Sequence, residues 1–180
     1  IYLCTADGDG NMVSFIQSNY KGFGSGIVIP GTGISLQDRG ANFSLDPSSP
    51  NCLGPGKKSF HTIIPGFLTR NGEAVGPFGV MGAFMQPQGH VQVLMNMIDF
   101  GLNPQEALDA PRWQWISGNR VQLEPGFPEE TAKGLLEAGH EVEYAKDSLT
   151  FGRGEMIIKG ENGVYVGASE PRAAGTVAAI

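Results

Sequence analysis

Short apolar runs broken by turn residues open the chain. Ile1 to Ala6 and Met12 to Ser18 read as strands, and Asp7-Gly8-Asp9-Gly10-Asn11 between them supplies the positive-φ positions of a hairpin turn. A glycine-rich stretch, Gly22-Phe23-Gly24-Ser25-Gly26, and a turn at Pro30-Gly31-Thr32-Gly33 follow, and residues 46–58, rich in Pro, Ser and Gly, read as a surface loop. His61 to Thr69 and Ala74 to Met81 are two more apolar runs, joined by the hairpin signal Arg70-Asn71-Gly72-Glu73. Helical periodicity begins after Pro87: Val91, Leu94, Met95 and Ile98 share one face, and Gly101 marks the stop. Asn103, Pro104 and Glu106 fit the N-cap, first and third positions of a second helix. Pro128 to Ala138 is a third, stopped by Gly139. Val142–Tyr144, Glu155–Lys159 and Val164–Gly167 are late strands, the last two joined at Gly160-Glu161-Asn162-Gly163. Strands, then helices, then strands predict an α+β layered fold with a largely antiparallel sheet, built as a single domain over residues 1–180.

Composition narrows the partners. With 180 residues, 41% of them hydrophobic and 17% charged, the chain is globular rather than disordered. A net charge of -6 excludes a nucleic-acid binder, since phosphate contacts need clustered Lys and Arg and the only dense basic spot is the Lys57-Lys58 turn. No apolar run approaches the roughly 20 residues that span a bilayer, so no membrane partner is expected. Cys4 and Cys52 are too few for a disulfide framework and read as free, partly buried thiols. The chain enters a strand directly at Ile1 without a Met, as a piece released by cleavage would. Any targeting signal is then expected upstream, and the cytoplasm is favoured over the periplasm or the outside.

Several familiar motifs fail on inspection. Asp7-Gly8-Asp9-Gly10-Asn11 starts like a calcium loop, but Met12 and Ser18 stand where that loop needs Gly and a bidentate Glu. The glycines at 22–26 have neither P-loop nor dinucleotide spacing, and Ser25 is not in a nucleophile elbow. That stretch is either a flexible loop or one whose backbone approaches a ligand. His61, His90 and His140 show no metal-ligand spacing. His90 and His140 are structural or solvent-facing, and His61 could be either.

Taken in order, Asp7-Gly8-Asp9-Gly10-Asn11, Phe23-Gly24-Ser25-Gly26, Gly101-Leu102-Asn103, Ala110-Pro111-Arg112 and Gly167-Ala168-Ser169-Glu170-Pro171-Arg172 resemble the small, C-terminal subunit of the γ-glutamyltranspeptidase family over nearly the whole chain. The resemblance implies the four-layer αββα sandwich of N-terminal-nucleophile hydrolases, formed together with a large subunit from the same precursor. It also implies a precursor that cuts itself to expose an amino-terminal Thr. A free α-amine beside that hydroxyl serves as the general base, so neither a His-Asp pair nor a cofactor is required. The family pattern places the Thr immediately before Ile1; Thr5, inside the first strand pattern, is no substitute.

The same resemblance carries roles onto individual residues. Ser18 falls on the hydroxyl residue, usually Thr, that hydrogen-bonds the nucleophile; without the resemblance it reads as an ordinary strand serine. Gly82 and Ala83 fall on the Gly-Gly pair whose amides form the oxyanion hole. Arg39 and Asn42 match the Gln and Asp that hold a substrate's α-amino group, and His61 and Thr62 match the paired serines that hold its α-carboxylate. Losing the Asp carboxylate removes a charge-assisted contact of roughly 1.5–3 kcal/mol, and Arg39 repels an ammonium. Read on its own, Arg39 is a surface-loop cation. The implied chemistry is hydrolysis or acyl transfer on γ-glutamyl or glutaryl-like amides through a threonyl acyl-enzyme, as in the branch that resembles glutaryl-cephalosporin acylases. The alternatives are a catalytically silent relative retained for binding and a true transpeptidase acting on amino acids and peptides. A dimer of heterodimers is an expected assembly, and the chain is not expected to fold alone.

Overall fold

Local turn chemistry sets the first element of the computed structural model, which describes residues 1–180. The Asp7 carboxylate accepts from the amides of Asp9 (3.0 Å) and Asn11 (2.9 Å) and from the Asn11 side chain (2.9 Å). This turn joins β1 (Tyr2–Ala6) to β2 (Met12–Ile16) with Tyr2 opposite Ile16 and Cys4 opposite Ser14. Two compact units emerge. One is Ile1 with Gln17–Ile63; the other is Tyr2–Ile16 with Ile64–Ile180.

The larger unit is built on a four-stranded antiparallel sheet in the order β3 (Gly66–Arg70), β4 (Glu73–Met81), β8 (Arg153–Lys159), β9 (Tyr165–Ser169). Alternation along β4 sends Phe78 and Val80 to one face, where they pack with Val93, Ala107, Leu108, Met156 and Ala168. Val93 belongs to α1 (Met85–Ile98); Ala107 and Leu108 belong to α2 (Pro104–Asp109). The opposite face receives the β1–β2 hairpin. Tyr2 lies on Gly79 so closely that a Cβ there would overlap its ring, and the Tyr2 hydroxyl shares a 2.8 Å hydrogen bond with Ser14. Helices, sheet and hairpin therefore stack as α, β and β, three of the four layers that the resemblance implies. Leu3, Val13 and Phe15 on the hairpin's outer face are exposed.

A smaller sheet orders β5 (Trp113–Ser117), β6 (Arg120–Leu123) and β7 (Glu141–Tyr144), with α3 (Glu129–Glu137) closing a second core of Val121, Leu123 and Ala132. The β6–β7 pair is parallel, a departure from the antiparallel expectation, and α3 makes the crossover that parallel pairing needs. The outer edge of β5 is met by helix α1. Gln92 exchanges hydrogen bonds with the Trp113 amide (3.0 Å) and carbonyl (2.8 Å), and Gln88 does the same at Trp115 (2.6 and 3.4 Å).

Two sequence expectations need correction. Helix α1 starts at Met85, ahead of Pro87, because a proline in the first turn lacks only an amide that has no helical partner there. Strands β5 and β6 were not anticipated at all. The capping box at Asn103 forms as predicted, with the Glu106 amide donating to the Asn103 side chain at 3.0 Å and the Asn103 amide to Glu106 at 2.9 Å. Cys4 and Cys52 are unpaired and half-buried. No helix is long and apolar enough to cross a membrane.

In the smaller unit, the glycine-rich stretch forms a ribbon folded about Pro30–Gly33. Ser25 donates to the Leu36 carbonyl (2.8 Å), Leu36 to Ile27 (2.9 Å) and Ile29 to Ile34 (2.9 Å). A single 3₁₀ turn, Arg39–Asn42, follows it.

The larger unit also buries two cations and two carboxylates in one network. Arg112 pairs with Glu170 at 2.9 Å, with side chains 1% and 0% exposed. Arg172 bridges Glu170 (2.6 Å) and Glu124 (2.5 Å) and also donates to the carbonyls of Leu108 and Ala110. Removing one partner of such a pair leaves an uncompensated buried charge. Glu170→Ala is accordingly expected to cost about 3–5 kcal/mol in urea denaturation of the intact protein, whereas Arg120→Ala, at an exposed pair, costs under about 1 kcal/mol. Comparable losses for the two variants would contradict this assignment. Glu124 adds an acid limb. Burial is the largest single influence and pushes its carboxyl up, but the hydrogen bonds from Arg172, Ser148 and the Arg112 amide, with the Arg172 charge, together outweigh it and hold the group below its ordinary value of 4.5. A depressed folded-state pKa gives stability that is fully present above the unfolded value and drains as pH falls through the folded one. Denaturation midpoints should therefore drop below pH 4.5, and Glu124→Gln should flatten that decline.

Candidate active site

The smaller unit gathers most of the residues singled out in the sequence. The amino group of Ile1 donates to the Gln17 carbonyl at 2.8 Å, and the Gln17 amide returns a bond to the Ile1 carbonyl at 3.0 Å. This pairing sets the first residue beside Ser18. Ser18 Oγ accepts from the Tyr20 amide at 2.7 Å, which leaves its own proton to donate. Tyr20 is held at φ 77, a costly conformation for a side chain of its size, and its hydroxyl donates to Asn42 Oδ1 at 2.8 Å. Ile1, Gln17, Ser18, Asn19, Tyr20 and Gly22 line an open cleft of about 470 Å³.

Arg39 is not the surface cation that its loop position suggests: only 8% of it is exposed. Its Nε donates to Thr62 Oγ1 at 2.8 Å, Nη2 to the Ser18 carbonyl at 2.9 Å, and Nη1 more weakly to Gln37 Oε1 at 3.4 Å. Gln37 also accepts from the Arg39 amide at 2.5 Å. No carboxylate of the chain forms an ion pair with this guanidinium. Asn42 has its carbonyl engaged by Asn51 at 2.7 Å, while its Nδ2 is buried without a partner. The structure thus joins Ser18, Arg39 and Thr62 directly, and Asn42 through Tyr20. His61 stands apart: it is exposed, and its Nδ1 lies 3.1 Å from the Ile63 carbonyl. Tyr20 and Gln37 are the residues that sequence reasoning missed, and nothing in their local sequence marks them.

Gly82 and Ala83 lie in the larger unit, between the end of β4 and the start of α1. Both are exposed, at φ 152 and φ 50. Their carbonyls accept from Met85 (2.9 Å) and Gln86 (3.1 Å), but neither amide donates to any group of the chain. Two adjacent free N–H groups are what stabilisation of a developing oxyanion requires. The left-handed φ of Ala83 costs roughly 1–2 kcal/mol, so the surrounding structure holds it there. His90, five positions into the same helix, is structural. It is buried against Phe78, with ring centroids 5.2 Å apart, and its Nδ1 lies 2.6 Å from the Gln86 carbonyl.

Comparison with known proteins identifies the family. Residues 1–180 match the Gamma-glutamyltranspeptidase family throughout. The chain is 38% identical to a glutathione hydrolase-like YwrD proenzyme of Bacillus subtilis and 40% identical to an oxamate amidohydrolase proenzyme of Klebsiella pneumoniae, each over 99% of this chain and 35% of the relative. It therefore spans about a third of the length of these curated relatives. Among solved structures, a cephalosporin acylase from Bacillus halodurans superposes with a TM-score of 0.93 at 64% identity, over 98% of this chain and 33% of that one. A γ-glutamyltranspeptidase from Pseudomonas nitroreducens superposes with a TM-score of 0.86 at 26% identity, over 99% and 98% of the two chains. With its α, β and β layers and a match from end to end, the chain belongs to the γ-glutamyltranspeptidase family.

Proposed function

We propose that this chain is the small-subunit half of an amide hydrolase that cleaves γ-glutamyl or glutaryl-like amides through a threonyl acyl-enzyme. The nucleophilic Thr stands directly before Ile1, and a large subunit cut from the same precursor completes the enzyme. The observation that carries this reading is the Ile1–Gln17 pairing, which presents the amino end of the strand beside the free Ser18 proton and an open cleft. The Thr hydroxyl adds to the amide carbonyl while the α-amine takes its proton. That proton passes to the leaving amine as the C–N bond breaks, and water then releases the acid from the ester. Ser18 orients the Thr oxygen. The free amides of Gly82 and Ala83 supply the hydrogen bonds for the oxyanion, each worth roughly 3–4 kcal/mol in sites of this kind.

Arg39 indicates the acyl group. A buried guanidinium without an internal carboxylate favours an anion in its neighbourhood, and it disfavours an ammonium. The substrate class that fits is an amide whose acyl part ends in a carboxylate and lacks an α-amine. Two similar proteins bear names in accord with this: a cephalosporin acylase, and an amidohydrolase of oxamate, itself a carboxylate without an amine.

Two outcomes test the reading on the mature two-subunit protein. Glutaryl anilide is expected to be cleaved in preference to γ-glutamyl anilide, and Arg39→Gln to lower kcat/KM for the glutaryl substrate roughly ten- to hundredfold, the value of a charge-assisted contact. Release from neither anilide would remove the proposal, and a strong γ-glutamyl preference would remove the acyl-group assignment alone. Ala83→Gly keeps both amides while relieving the left-handed strain. It should raise stability by about 1 kcal/mol and keep kcat within about threefold, measured by urea denaturation and anilide turnover.

A further inference from the structure

We propose that Arg112 and Gly152 are positioning residues for the oxyanion amides: the Arg112 guanidinium holds the 151–152 backbone as a rigid wall on which Gly82 is seated. The proposal rests on the oxyanion reading of Gly82 and Ala83 given above. It begins with the way β4 and β8 end. Their ladder closes at Met81 opposite Arg153, so Gly82 and Gly152 both lie beyond the last paired position. Inter-strand hydrogen bonds no longer fix them, yet the two backbones are in contact. A Cβ built on Gly82 would lie 2.9 Å from Gly152 Cα and 3.5 Å from its nitrogen. Gly152 also presses directly on the end of β4, where its own Cβ would lie 2.7 Å from Val80 Cγ1 and 3.0 Å from the Met81 carbonyl. Its φ of 82 is open to glycine and strained for other residues.

Arg112 supplies the fixing that the ladder no longer provides. It is buried, and its Nη1 donates to the carbonyls of Phe151 (3.0 Å) and Gly152 (3.2 Å). Its Nη2 donates to the Leu108 carbonyl (3.1 Å) and to Glu170 (2.9 Å). The same Glu170 oxygen accepts from the Gly154 amide at 2.7 Å, so residues 151–154 are gripped from both sides by one ion pair. Only a planar fork reaches two carbonyls with one nitrogen and a carbonyl and a carboxylate with the other; an ammonium on a flexible stem cannot. The free amides of Gly82 and Ala83 have no hydrogen bond of their own to hold their direction. Their aim is therefore set by what they rest on, and a small displacement of Gly152 carries into it. Arg112 touches neither substrate nor reacting atoms and acts only through this wall.

Anilide kinetics and inhibitor binding on the mature two-subunit protein test the assignment, using Gly152→Ala and Arg112→Lys. Both variants are expected to lower kcat roughly ten- to hundredfold with KM within twofold, as loss of transition-state hydrogen bonding does. Both should weaken a boronic acid carrying the substrate's acyl chain, which forms a tetrahedral adduct, by a similar factor. Affinity for the free acid product should stay unchanged. Gly152→Ala decides the question alone should Arg112→Lys fail to give folded protein. A rise in KM with kcat preserved, or boronate affinity equal to the unsubstituted protein, overturns the positioning role. Gly82→Ala separates this failure from failure of the underlying reading. Unchanged boronate affinity in Gly82→Ala removes the oxyanion assignment itself. Weakened affinity there, with full affinity in Gly152→Ala, removes only the wall.

Discussion

One buried guanidinium organises the larger unit. Arg112 has donors for several acceptors and is fully removed from water, so every group it reaches must be in place for its burial to be tolerated. It reaches α2 through Leu108, the approach to β8 through Phe151 and Gly152, and the end of β9 through Glu170. Arg172 repeats the pattern one step away, on Glu124, Glu170 and two further carbonyls. Two cations and two carboxylates balance, which makes the cluster neutral as a whole and intolerant of the loss of any member. The helical layer, the sheet and the small β5–β7 sheet meet at this cluster.

The proposed roles fall on two kinds of local structure. The smaller unit is nearly all loop, held by side chain to backbone bonds such as those of Ser18, Gln37 and Asn51, and it carries the cleft and the buried cation Arg39. The larger unit carries Gly82 and Ala83 at the seam between its longest strand and its longest helix. Loops adapt readily to a new acyl group by exchanging side chains, whereas a pair of free amides needs a frame that does not move. The replacements at Arg39 and Asn42 fall in the first kind of structure. At Ala83, in the second kind, a Cβ is tolerated and the donor is kept.

What could be read from the sequence follows the range of the forces involved. The hairpin turn at Asp7, the capping box at Asn103 and the glycine stop at Gly101 are settled within a few residues and were legible. Pro87 misled because the cost of proline vanishes in a first helical turn. Strands β5 and β6 escaped notice because the outer edge of β5, at the Trp113 and Trp115 backbones, is paired by Gln92 and Gln88 of a helix more than 20 residues away. Arg39 resembled a surface cation because its acceptors, Ser18 and Thr62, lie 21 and 23 residues away. Resemblance to the family is what singled out Ser18, Arg39, Asn42, Gly82 and Ala83. The contacts that hold those positions, Tyr20 on Asn42 and Gly152 against Gly82, have no local signature.

Helix α1 has a consequence beyond the core that it covers. A sheet that ends in an open strand offers a row of unpaired amides and carbonyls to any extended chain that passes. Here Gln88 and Gln92 occupy the outer rim of β5 at Trp113 and Trp115, imitating the bonds another strand would make. Two uncharged side chains thus cover the outer edge of the three-stranded sheet and blunt it against edge-to-edge association.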